Sequence, residues 1–79
     1  MEFSYDKLKG KIKEKFGTQE AFAAAVGMSR TTLNAKLNNS SEFTQSEMFK
    51  ALEVLSIKKN AIDEYFFSLE IRKPEQQGA

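Results

Sequence analysis

Arg30, Thr31 and Asn34 are the residues of this 79-residue chain whose types and spacing could do specific chemistry. An arginine can bridge O6 and N7 of guanine. An asparagine can pair with adenine, and a threonine can offer a hydroxyl or a methyl group to a base edge. The three fall within GMSRTTLNAKLNN, residues 27–39, where only Met28, Leu33, Ala35 and Leu37 can face a core. So narrow an apolar stripe leaves the rest of a helix free to enter a groove of duplex DNA. Only the first turns of such a helix usually reach base edges, which selects Arg30, Thr31 and Asn34 for readout. The polar residues nearer its ends, Ser29, Lys36 and Asn39, are expected to hold phosphates.

The elements that must present these side chains are two helices and a tight turn. Thr18 is an N-cap for a helix over residues 19–26, with Glu20 in its first turn. Phe22, Ala23 and Val26 form its buried stripe, and the alanines at 23, 24 and 25 make it slim. Gly27 is a natural left-handed stop. Ser29 caps the next helix, from Arg30 to about Asn38, anchored by Leu33 and Leu37, with Met28 packing at its start. Two helices joined by a short connection centred on Gly27 have the spacing of a helix-turn-helix. Ala23 sits where the two would cross, and a larger side chain there would push them apart. An ordinary helical hairpin with a glycine turn is the plainer alternative.

The flanking segments read as three more helices. Ser4 is a suitable cap for the first, with Asp6 in its opening turn and Tyr5, Leu8, Ile12 and Phe16 on one face. Gly17 ends it. Asn38 to Ser41 reads as a loop. Thr44-Gln45-Ser46-Glu47 fits a capping box, opening a helix with Met48, Ala51, Leu52 and Leu55 on one face. Asn60 is expected to cap a short fifth helix through Ile62 and Tyr65. Phe67, Leu69 and Ile71 then alternate with polar residues, the period of a strand. Residues 74–79 have the composition of a disordered tail.

Composition excludes more than it selects. One domain, over residues 1–73, is expected for a chain of this length. With no cysteine and no histidine, disulfides, thiolate metal sites and the commonest general base are absent. Neither a metal, a cofactor nor a small-molecule substrate is expected, and no enzyme. The chain lacks a run long enough to cross a membrane and an apolar leader, so a cytoplasmic protein is the expectation. Net charge is only +1, yet residues 1–40 carry seven cations against four anions, and residues 41–79 five against seven. The basic half points to a polyanionic partner.

QEAFAAAVGMSRTTLNAKLNN, residues 19–39, resembles the helix-turn-helix of phage repressor and Cro-type proteins, the lambda-repressor-like class. Gln19, Ala23, Gly27 and Leu33 stand in the expected order. The flanks, including KLNNSSEFTQSEM and residues 62–67, are similar to small Cro-like phage repressors, and the likeness spans roughly residues 3–70. It implies that Gln19 bonds a phosphate from the start of its helix, and that Asn38 holds the backbone just past the recognition helix. Arg30, Thr31 and Asn34 would face bases. Two departures stand out: Ala35 replaces a longer base-reading side chain, and Asn39 replaces a glycine, although asparagine tolerates the left-handed conformation.

The sequence thus predicts an all-α, five-helix, lambda-repressor-like domain with, at most, one short C-terminal strand. The implied role is a phage or prophage repressor that occupies a double-stranded DNA operator, as a homodimer at least on DNA. Phe67, Leu69 and Ile71 are the candidate dimer contact. The alternative is a protein-interaction module that binds a partner repressor or antirepressor through the same C-terminal aromatic patch.

Overall fold

Thr18, Ser29 and Thr44 each accept a hydrogen bond from a backbone N–H three residues on, and each marks the start of a helix. The computed structural model describes residues 2–69. Their elements are α1 (Asp6–Phe16), α2 (Gln19–Val26), α3 (Arg30–Leu37), α4 (Gln45–Val54), a 3₁₀ turn (Lys59–Ala61) and α5 (Ile62–Phe66). The fold is all-α. At Thr44 the capping box is complete, since the Glu47 carboxylate accepts the Thr44 N–H at 2.9 Å.

The core follows the periodicity of the sequence. Leu8 and Ile12 of α1, Phe22 and Ala23 of α2, Leu33 and Leu37 of α3, and Ala51, Leu52 and Leu55 at α4 are buried together. Tyr5, Phe43 and Phe66 meet edge to face with ring centroids 5.1–6.5 Å apart. Such pairs add about 0.5–1.5 kcal/mol beyond their buried area. This cluster closes the core over α1, as expected of the C-terminal aromatics. Phe66 is buried and Tyr65 is partly buried, whereas Phe67 and Leu69 stay 44% and 48% exposed.

Three local expectations are corrected. Ser4 does not cap α1: the cap position is Tyr5, with no side-chain bond, and the Ser4 N–H donates to the Ser68 carbonyl instead. Asn60 does not cap α5, because it lies inside the 3₁₀ turn, which begins after Lys58. No strand forms among the described residues. Phe3 and Leu69 make one isolated antiparallel bridge. Pairing can run no further into the chain because α1 begins at Asp6 and α5 ends at Phe66. Ile71 and the expected tail lie outside the described residues.

Asn39 joins the far end of α3 to the N-terminal segment. Its Oδ1 accepts the Phe3 N–H at 3.0 Å and its Nδ2 donates to the Phe3 carbonyl at 2.9 Å. Its φ of 65° is left-handed, the conformation that asparagine tolerates best among residues with a side chain.

Lys36 joins α3 to α4. It is only 6% exposed. Its ammonium donates to the Glu42 carbonyl at 2.8 Å and pairs with the Glu47 carboxylate at 3.0 Å. Burial opposes ionisation of Glu47, but the Thr44 N–H and the Lys36 ammonium outweigh it and hold the carboxyl below its ordinary range. A lowered folded-state pKa stabilises the fold above the unfolded value, near 4.3, and that contribution is lost as pH falls through the folded value.

Two predictions follow from these links. In urea titrations the stability of the wild-type chain falls between about pH 5 and pH 3, and the fall is shallower in Glu47→Gln; identical pH profiles would contradict this. Asn39→Ala loses about 2 kcal/mol through two broken bonds and a strained φ. Asn39→Gly loses less, because only the bonds go, and equal losses would show that the left-handed backbone contributes nothing.

Candidate functional site

The turn between α2 and α3 sets the geometry of everything that follows. Gly27 has φ 92° and ψ 32°. Its N–H reaches the Ala24 carbonyl at 3.2 Å and the Met28 N–H reaches the Ala23 carbonyl at 2.9 Å. These two bonds form a Schellman stop, which needs a left-handed residue. A side chain at 27 would meet no neighbour, so the backbone angle rather than space requires glycine here. Ala23 is buried on α2, one turn before Gly27.

The chain leaves this turn directly into the cap of α3. The Ser29 hydroxyl accepts the Thr32 N–H at 3.1 Å and shares a 3.0 Å bond with the Thr32 hydroxyl. Beyond it only Leu33, Lys36 and Leu37 of α3 are buried. Arg30, Thr31 and Asn34 are all exposed. Arg30 and Asn34, four apart, share a helical face, and Thr31, three before Asn34, borders them, so the three lie together on the surface beside the Leu33–Leu37 stripe. Arg30 takes part in none of the ion pairs among the described residues. The three side chains singled out for base readout are therefore brought together and left free.

The expected phosphate contacts divide. Gln19, at the start of α2, borders a shallow groove with Thr18, Lys9 and Lys13. Asn38 is exposed at the end of α3. Ser29 is exposed too, but its hydroxyl is engaged in the cap. Lys36 is a correction: it faces inward, and its ammonium is held by Glu42 and Glu47. Its position, three residues after Leu33 and one before Leu37, is on the buried side of the helix. Asn39 is a second correction, since both ends of its amide are bonded to Phe3.

Lys9 and Lys13 are the cations that lie beside Gln19. Four residues apart on α1, they share one helical face. Neither pairs with an acid among the described residues. By contrast Lys7 is paired with Glu64, and Lys11 lies 3.6 Å from Glu14. The alternating lysines of α1 are thus not equivalent. The signal that separates them is their phase relative to Leu8 and Ile12.

Among the described residues no helix is long and apolar enough to cross a membrane. No curated protein matches the chain. A solved structure does: the solution structure of the modulator of repression of the temperate bacteriophage TP901-1 from Lactococcus lactis. It is 40% identical, with a TM-score of 0.75, over 91% of this chain and 97% of that one. Residues 1–69 match the family described as "Protein of unknown function (DUF739)". Neither match is described as Cro-like, so the resemblance seen in the sequence stands at the coarser level of a phage regulatory protein. The chain belongs to the DUF739 family.

Proposed function

We propose that this chain is a phage regulator of repression that binds double-stranded DNA through the outer face of α3. The observation that carries the reading is the shared exposure of Arg30, Thr31 and Asn34 on a capped helix held against α2 by the Gly27 turn. In the major groove Arg30 would read guanine, Asn34 adenine, and Thr31 a hydroxyl or methyl contact. Gln19, with Lys9 and Lys13 beside it, would hold the phosphate backbone on one flank, and Asn38 on the other. The 40% identical structure of a phage modulator of repression supports a regulatory role. The reading involves no catalysis, metal or cofactor, and places the protein in the cytoplasm of a bacterial host.

A single short helix covers few base pairs. The reading therefore includes a two-fold homodimer on DNA, with half-sites about 34 Å apart. Phe67 and Leu69, large apolar side chains left exposed, are its candidate contact.

A second reading is favoured by the internal bonding of Lys36 and Asn39, which removes two expected backbone contacts from α3 and the loop after it. The low net charge also limits affinity for a polyanion. In this reading the chain modulates repression by binding a repressor protein through Phe67 and Leu69.

Selection from a random duplex library, followed by anisotropy titration of the enriched site at several salt concentrations, separates the two. The DNA reading predicts a two-fold symmetric site and a log K that falls steeply with log salt. Arg30→Ala and Asn34→Ala should each lose about 1–3 kcal/mol of binding with stability unchanged within about 0.5 kcal/mol. No enrichment, and no binding at low salt, would overturn it. The second reading would then predict that paired Phe67→Ser and Leu69→Ser changes abolish repressor binding while Arg30→Ala leaves it intact.

A further inference from the structure

Lys36 is the one charged residue among the described residues that the fold buries. From its surroundings we propose that Lys36 and Glu47 are positioning residues: their ion pair fixes the orientation of α3 and hence the aim of Arg30, Thr31 and Asn34.

Three groups receive the Lys36 ammonium, and all lie in the chain just after α3. The Glu42 carbonyl is at 2.8 Å, the Glu47 carboxylate at 3.0 Å, and the Phe43 ring centroid at 6.0 Å. The Glu47 oxygen that takes the ammonium also accepts the Thr44 N–H. A cation from the last turn of α3 is thus inserted into the cap that starts α4. Apolar contacts at Leu33 and Leu37 hold α3 close to the core but are non-directional. A charge-assisted bond is directional and short, so it fixes the roll that the leucines leave open.

Stability alone does not favour an ion pair over an apolar contact at such a place. Replacing both members of a buried ion pair with well-packed apolar side chains of similar volume is often neutral or stabilising, whereas removing one member leaves an uncompensated charge. That asymmetry separates positioning from mere support. It also makes the single Lys36→Met variant a poor test, since its losses mix the two effects.

The test compares the wild-type chain with the double variant Lys36→Met/Glu47→Gln. Urea unfolding gives stability, and residual dipolar couplings give the orientation of α3 relative to α2 and α4. The affinity arm rests on the DNA reading and uses the duplex that the wild-type chain enriches from the random library. The expected result is a double variant that stays folded, loses no more stability than Glu47→Gln alone, and has an α3 rolled by about 10–20°, the tolerance within which a site must be held. Its affinity should fall about tenfold, the equivalent of roughly one base contact. Wild-type couplings in α3 would overturn the proposal, and so would wild-type affinity in a chain whose helix has turned. If the wild-type chain enriches no duplex, the DNA reading fails by itself and the couplings decide the matter of orientation. If the double variant does not fold, Glu47→Asp replaces it. That change keeps the charge and shortens the arm by one carbon; it should turn α3 in the same way, and unchanged couplings would again overturn the proposal.

Discussion

The left-handed backbone at Gly27 is the constraint on which the rest depends. It stops α2, sends the chain across Ala23, and delivers Ser29 to the cap of α3 in three residues. With the turn so short, the start of α3 is set by α2, and its few buried side chains have only to fix what the turn leaves open. Only Leu33, Lys36 and Leu37 turn inward. A helix of eight residues with so little to bury would not hold its place alone. It holds because the turn fixes its start, the Lys36 pair fixes its end, and Asn39 fastens the loop beyond it to Phe3.

These links explain how a chain without disulfides spares one helix face for recognition. The aromatic cluster of Tyr5, Phe43 and Phe66 and the leucines of α1 and α4 supply the burial. The polar connections supply direction. On the proposed reading, the outer face of α3 then carries no structural duty, and Arg30, Thr31 and Asn34 can be chosen entirely by what they bind. Lys9 and Lys13 of α1, in none of the ion pairs among the described residues, lie beside Gln19 at the start of α2.

Much of this was legible in the sequence because local rules and the global fold agree. Thr18, Ser29, Thr44 and Gly27 announce helix ends by short-range chemistry alone, and Leu8, Ile12, Phe22, Leu33, Leu52 and Leu55 announce the core by their period. The misreadings share a cause. Residue type alone points Lys36 and Asn39 outward, although the phase of Lys36 relative to Leu33 points inward, and Asn39 finds its partner 36 residues away. Long-range polar pairing leaves no periodic trace. Of the alternation after Phe67, the described residues show one bridge, Phe3 to Leu69, and Ile71 lies outside them. Ser56 ends α4 at φ 58° without any of the usual residues for that conformation, and nothing in its neighbourhood signalled it.

The central claim is that the outer face of α3 is the working surface. It is tested most directly by titrating the isotope-labelled chain with the duplex it selects and following every backbone amide by NMR. The account predicts that perturbations concentrate on Arg30, Thr31 and Asn34, with a second group at Gln19, Lys9 and Lys13. Perturbations confined to Phe67 and Leu69, with α3 unmoved, would contradict it.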